Sequence, residues 1–507
     1  MDASHGKRAP AATATKPRAP CGAKRTPKTE RPHDSNPFIM ITTPSAKIDA
    51  AARRQIRSHV MRGKNRKRVD PERNVALGSW INGCQAPPTA PVKMPDRVVI
   101  PRRVGTEISH FQLVDAVDPH RTELVFTWFS VIKQNMYPIE AVIQPPADPW
   151  LDYLAYDRAY LQCVLFATQS FLDWRRDGRI GELSFQHLNA AMQSLRQNLA
   201  KDDHTALTAS DSTMAVVVTL SMMAEVLHDG TAAGNHLEAL FHLVQMRGGI
   251  HAVQHNPQLQ TKILRADLGR AISTGSKPLF FSDGFSWDPY LAPQSRTPSL
   301  AAASKHTIFH VLSRANETPD QRLVNIYLDL LEFSLGADIA YQTGKKIEFD
   351  PFLETLVSAQ YRLLALRDEH LESEHTTGTI VTLGMLAFTT TTFLQVQGLP
   401  VNYDDLARRL RGHLVAFQQA DIEEGAELTR LKLWFLFMAA ISVLTEPEDE
   451  GMLLGVAGQL LARLGMSNAS WANVRDVLRE HIWVDWLHMP CGQIFFGKII
   501  AQNNLLR

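Results

Sequence analysis

The stretch Met214–Leu227, MAVVVTLSMMAEVL, runs through His228-Asp229-Gly230 into Asn235–Ile250, NHLEALFHLVQMRGGI, and its reading decides the fold class. The first part is apolar nearly all round, longer than an ordinary strand, and shows no alternation, so it predicts a helix buried on every side. Asp229-Gly230 supplies the turn. In the second part Leu237, Leu240, Phe241 and Val244 recur at three- and four-residue steps and form one buried face, with Asn235 as the expected N-cap. Arg247-Gly248-Gly249-Ile250 ends that helix, because glycine takes the left-handed C-cap without a Cβ penalty and Ile250 folds back onto the helix.

Outward from this hairpin the same spacing continues. It predicts helices over 261–273, 321–341, 351–370, 376–397, 402–420, 427–445, 451–465 and 470–481. No fixed repeat period links them, which argues against a regular solenoid. The expectation is an all-α domain over residues 150–507, built as a large irregular helical array. Its most apolar run, Leu431–Leu444, is shorter than the roughly 20 residues of a membrane-spanning helix and reads as a core helix, and no membrane partner is expected. Residues 69–149, with Pro87-Pro88 and Pro145-Pro146, read as a Pro-rich linker that packs locally on this domain.

Charge is distributed very unevenly. Residues 1–68 hold 17 Lys and Arg against 4 Asp and Glu, a net of +13, and since the whole chain totals +1 the remainder carries −12. Residues 1–35 are dominated by Pro, Ala, Thr, Lys and Arg and have too few apolar groups to offset the entropy of folding, so a disordered basic tail is expected. Over 36–68, Thr43 caps and Pro44 opens a short basic amphipathic helix, with Ile48, Ala52, Ile56 and Val60 on one stripe. Arg53, Arg54, Arg57, Arg62, Lys64, Arg66, Lys67 and Arg68 form a bipartite nuclear-import-like signal whose charge also suits phosphates. The plain structural reading of the same residues is a solvated basic tail. The N-terminus lacks the apolar segment of a secretory signal, and four widely spaced cysteines, Cys21, Cys84, Cys163 and Cys491, fit reduced thiols.

Pro37-Phe38-Ile39-Met40, Thr43-Pro44-Ser45 and Arg54–Met61, together with His236–Ile250 and Leu264–Leu268, resemble the signatures of the fungal-specific transcription factor domain family. The resemblance is to its filamentous-fungal group without a binuclear zinc cluster, some members of which bear the name tachykinin family. It implies a helical regulatory domain and a nuclear role, with other transcription or chromatin proteins as expected partners beside the import receptors that the basic signal would engage. It implies no catalytic residue and no cofactor. Relatives with six close-set cysteines hold two zinc ions and place a helix in the major groove; four scattered cysteines cannot, so the arm is left with non-specific attraction to DNA. Arg247, Gly248, Gly249 and Asp267 belong to the resembling segments as a structural signature, with an Arg247–Asp267 ion pair pinning two helices as one reading and both side chains facing solvent as the other. The alternative is a helical scaffold or corepressor-like adaptor that never touches DNA.

Motifs for catalysis or metal binding are weak. Gly492–Lys498 has phosphate-loop spacing, but Ile499 stands where Ser or Thr ligates magnesium, so a packed C-terminal helix is the better reading. Trp483, Trp486, His488 and Cys491 read as a core cluster, not as a metal site. No His-Glu-x-x-His pair, Gly-x-Ser-x-Gly elbow or dinucleotide glycine pattern occurs. The expected class is non-enzymatic.

Overall fold

The structure, a computed structural model, describes residues 112–505 except 147–148, 201–208, 282–284, 292, 294–307, 314–318, 370–375, 395, 397–398, 400 and 420–424. The arm, with Arg53, Arg54, Arg57, Arg62, Lys64, Arg66, Lys67 and Arg68, lies outside the described residues. Helices take up 78% of the described residues and strand 1%, so the all-α expectation holds. The single β-bridge, Ile143 to Ile347, extends into no sheet among the described residues.

Among the described residues the first helix, α1 (Pro119–Thr127), runs on through a π turn, Trp128–Ile132, into Lys133–Asn135. It lies in what the sequence suggests is linker. Leu124, Val125, Trp128, Ile139 and Val142 are instead core residues. The prolines misled because they start elements here: Pro119 is the first residue of α1 behind the N-cap Asp118, and Pro138 opens a 3-10 turn, Pro138–Val142.

There follow α2 (Trp150–Tyr156), α3 (Arg158–Asp177), α4 (Glu182–Leu199), α5 (Asp211–Val226), α6 (Gly230–Met246) and α7 (Pro257–Thr274). Helices α3 and α4, and α5 and α6, pack as antiparallel pairs. Helix α6 starts a turn earlier than Asn235, because Asp229 Oδ1 accepts the Ala232 N–H at 2.9 Å and the small residues Thr231–Gly234 extend the helix without apolar periodicity. Its end matches expectation: Gly248 and Gly249 both take positive φ, +101° and +93°.

The second half comprises α8 (Gln321–Thr343), α9 (Phe349–Glu369), α10 (Thr377–Thr389), α11 (Asp404–Gln419), α12 (Ala426–Ser442), α13 (Pro447–Arg463), α14 (Trp471–Leu478) and α15 (Asp485–Leu505). Helix α12 is the hub, packed against α10, α13, α14 and α15. Leu431 and Leu433–Ala439 are completely buried, as the apolar run predicts. Thr377–Leu394 is long and apolar enough to cross a membrane, but 89% of it is buried inside the fold. That segment is not one continuous α-helix. Thr389, Thr390 and Thr391 hydrogen-bond back to the carbonyls of Leu386, Ala387 and Phe388, and α10 gives way to a π turn, Thr390–Leu394.

Helix α7 joins the halves, touching α5 and α6 on one side and α9, α11 and the π turn after α10 on the other. Buried charge fastens the chain that leaves it. Asp267 accepts the N–H groups of Leu279 (2.7 Å) and Phe280 (3.0 Å) and the Tyr361 hydroxyl (3.0 Å). Asp329 accepts the N–H groups of Tyr290 and Leu291 and pairs with Arg362 at 2.9 Å, both side chains almost fully buried. Arg367 donates to the carbonyls of Ala271, Gly275 and Ser276, where the C-terminal end of α7 favours a cation.

Candidate functional site

Helix α7 forms because Asn256 caps it, its Oδ1 accepting the Leu259 N–H at 3.2 Å, because Pro257 is pre-set for the first turn, and because Gly275 takes the left-handed C-cap at φ +75°. One face, Leu259, Ile263, Leu264, Leu268 and Ile272, is core. A second stripe, Lys262, Arg265, Ala266, Gly269, Arg270 and Ser273, also recurs at three and four residues, and every member lines one cavity of about 80 Å³. That volume is several times the ~10–15 Å³ a single water requires.

The rest of the wall is mostly apolar. Phe171 of α3, Met222, Met223 and Val226 of α5, and Val396 and Val401 after α10 contribute. Both π turns reach it, one through Trp128 and Ile132 and the other through Leu394. Single-turn π segments recur at functional sites, where the extra residue re-aims side chains. Glu225, Arg270 and Ser273 also line a neighbouring groove with His228, Asn402 and Asp405, so the cavity meets that groove at the Glu225–Arg270 ion pair, 2.8 Å long. Gly234 makes room for this pair: a Cβ there would stand 2.8 Å from Arg270 Nη2.

Three cations and one carboxylate line the cavity, and they are held differently. The Lys262 ammonium lies 4.3 Å from the Trp150 ring centroid, a cation–π contact. Arg270 pairs with Glu225. Arg265 is 4% exposed; its Nη1 donates to Glu140 at 2.6 Å and its guanidinium stacks 3.6 Å over the Tyr137 ring. Its Nε and Nη2 are buried and have no hydrogen-bond partner among the described residues. Leaving a buried donor of a charged group unsatisfied costs roughly 1–3 kcal/mol or more, so two on one side chain mark a place of interest.

The residues singled out from the sequence fall elsewhere. Arg247 does not meet Asp267. It bonds Asp211 at the N-terminus of α5 and donates to the Ala209 carbonyl at 3.4 Å. The antiparallel α5–α6 pair places the end of α6 beside the start of α5, so Asp211 is the nearer acid, while Asp267 is saturated by backbone donors and Tyr361. Asp211 also accepts from His255 and Asn256, both at 2.9 Å, and Asn256 in turn donates to Tyr153 at 2.8 Å. Burial works to raise the Asp211 pKa, but hydrogen bonds from Asn256 and Arg247 hold it below the ordinary value. Arg247 thus belongs to a knot joining α2, α5, α6 and α7, while Gly248 and Gly249 close the end of α6. Asp267 is separate from that knot, and burial raises its pKa to about 6.

Gly492–Lys498 lies inside α15, and Lys498 pairs with Glu450 at 2.8 Å. A phosphate loop needs successive N–H groups free to face an anion, and a continuous helix interior offers none. Cys491 and His488 are buried with Trp483 in the core. Cys163 is also buried, which pushes its thiol up to about 12. Among the described residues no three His, Cys, Asp or Glu side chains gather as a metal would require.

Sequence reasoning touched Arg265 only as a letter in the family-like segment and passed over Lys262, Gly269 and Arg270. The signal was present as helical spacing. Charged and small residues in such a stripe ordinarily face water, and a stripe facing a cavity has the same pattern. Comparison of the chain with protein-family models, with curated proteins and with solved structures returns no match.

Proposed function

We propose that the chain is a non-enzymatic regulatory protein of the fungal transcription-factor type, in which a helical domain makes protein contacts and the basic arm directs the protein to the nucleus and to nucleic acid. The observation that carries this reading is the charge separation: +13 on residues 1–68 against −12 on the remainder. An arm of that density attracts phosphates without reading bases, and it displaces counterions when it binds. The resemblance of residues 37–61, 236–250 and 264–268 to that family points the same way. Helix α7, which contains the last of these segments, touches both halves of the domain.

The test compares full-length protein with a version lacking residues 1–68 on random duplex DNA across a salt series. Full-length protein is expected to bind every sequence about equally and to weaken by an order of magnitude or more between roughly 50 and 200 mM salt, while the shortened version does not bind. Exchange of Arg66, Lys67 and Arg68 for Ala in a fluorescent fusion is expected to release the protein from the nucleus. Full-length protein that ignores DNA at low salt, with unchanged nuclear entry in the triple variant, would leave the adaptor reading in its place.

A further inference from the structure

We propose that the cavity beside α7 binds a compact neutral molecule, apolar over most of its surface, whose single carbonyl or hydroxyl oxygen accepts a hydrogen bond from Tyr403. This does not rest on the nuclear reading of the arm.

The case begins with the hydroxyl groups of the wall, which Thr219, Ser221, Ser273 and Tyr403 supply among the described residues. Three of them are spent on backbone carbonyls: Thr219 donates to Ala215 (2.7 Å), Ser221 to Ala233 (3.0 Å) and Ser273 to Asn402 (2.9 Å). Tyr403 is 3% exposed, and its hydroxyl has no hydrogen-bond partner among the described residues. Burial, and then the neighbouring Tyr137 and Glu225, push its pKa up, so the group keeps its proton and offers it as a donor. A buried donor without a partner is costly, and one that lines a cavity is satisfied by what enters.

The charged groups of the wall do not select an ion. Arg265 is neutralised by Glu140, and its remaining donors, Nε and Nη2, are shut off from the space. Arg270 is neutralised by Glu225, and Lys262 lies against the Trp150 and Trp128 rings. The surrounding wall is apolar, with Trp128, Ile132, Phe171, Met222, Met223 and Leu394 in it, and methionine adapts to irregular shapes. A ligand there exchanges water for hydrocarbon on almost every side, which favours a neutral body over a charged one. An apolar space of about 150 Å³ takes a benzene ring. One of about 80 Å³ suits a five-membered ring or a short branched chain.

The backbone of α7 leaves this volume free. Gly269 sits in the helix interior, where alanine would be the better helix former, and a Cβ there would meet nothing within 4 Å. Packing does not require glycine at this position, and its missing side chain adds room to the cavity. The way in is the neighbouring groove, from which the Glu225–Arg270 pair separates the cavity.

The experiment titrates the full chain, carrying isotope-labelled methionine methyl groups, with cyclopentanone, with methylenecyclopentane, which has a CH2 group in place of the carbonyl oxygen, and with camphor, a much bulkier ketone. The variants Met222→Leu and Met223→Leu identify the two reporter signals. Cyclopentanone is expected to move both signals saturably, with a dissociation constant in about the millimolar range, and to raise the melting temperature, while camphor does neither. Tyr403→Phe is expected to weaken cyclopentanone about fivefold or more and to leave methylenecyclopentane within about twofold. Gly269→Leu fills the cavity without touching Tyr403, and is expected to keep the helical circular dichroism and lose both small ligands. Unchanged cyclopentanone binding in Tyr403→Phe, equal loss of both small ligands in that variant, undiminished binding in Gly269→Leu, camphor acting as strongly as cyclopentanone, or unmoved signals at about 50 mM cyclopentanone would each overturn the proposal.

Discussion

At the scale of single residues, three buried groups should give this protein an unusual response to acid. His488 is fully buried; the Val484 N–H donates to its Nδ1 at 3.1 Å, so the ring proton sits on Nε2 and donates to Thr391, 2.9 Å away, which in turn donates to the Phe388 carbonyl. Protonating Nδ1 would break this chain, and burial drops the His488 pKa from 6.5 to about 3, as it does for His481. Their contribution to stability is therefore complete above the unfolded value of 6.5 and is lost as the pH falls toward 3. Each amounts to about 3 kcal/mol at most by pH 4. Asp267 works in the opposite sense. Its pKa of about 6, against 3.8 unperturbed, lets the folded protein take up a proton first and gain stability as the pH falls through that interval. Urea denaturation from pH 7 to 4 should show a shallower acid loss for His488→Gln and a steeper one for Asp267→Asn. Parallel curves for wild type and both variants would remove the assignment.

At the scale of helices, the same substitution is expected to act with opposite sign at two glycines, both inside α-helices and both at negative φ. Gly269→Ala adds a methyl where a Cβ meets nothing within 4 Å, so the gain in helix propensity should stabilise α7 by about 0.5–1 kcal/mol. At Gly384 of α10 a Cβ would stand 2.5 Å from Trp434 Cζ3 and 2.8 Å from Cη2. Trp434 cannot retreat, because it is completely buried and its Nε1 donates to the Ile482 carbonyl at 2.7 Å. Gly384→Ala should cost about 1–3 kcal/mol through overpacking. Melting temperatures that move in the same direction for both variants would contradict this account. The sequence lists two helical glycines alike, and it is the neighbour across the interface that separates them.

At the scale of the whole domain, one apolar core runs without interruption from Leu124 to Ile499, and α7 contacts both halves. A long chain commonly unfolds in parts. Here the halves share α7, and the buried Asp267, Asp329, Arg362 and Arg367 fasten its exit to α8 and α9. Hydrogen exchange under rising denaturant should bring the slowest amides of α5 and of α12 to the same opening free energy. Separate limits for the two helices would show two independently stable halves. The same continuity links the cavity to both halves, since its wall draws on α3, α5, α7 and the chain after α10.

The sequence by itself determined the helical class, the buried hairpin at 214–250, the central position of Leu431–Leu444 and the concentration of positive charge in residues 1–68. Each of these depends on local composition or on the 3.6-residue period, which is written into neighbouring letters. The tertiary structure alone decided which acid Arg247 meets, that Leu124, Val125, Trp128, Ile139 and Val142 are core, that α10 breaks into a π turn, and that Lys262, Arg265, Gly269 and Arg270 face a cavity. Periodicity places residues on a common face of a helix. Whether that face meets water, another helix or an enclosed space is settled by segments a hundred or more residues away, such as Glu140 against Arg265, and no local pattern records them.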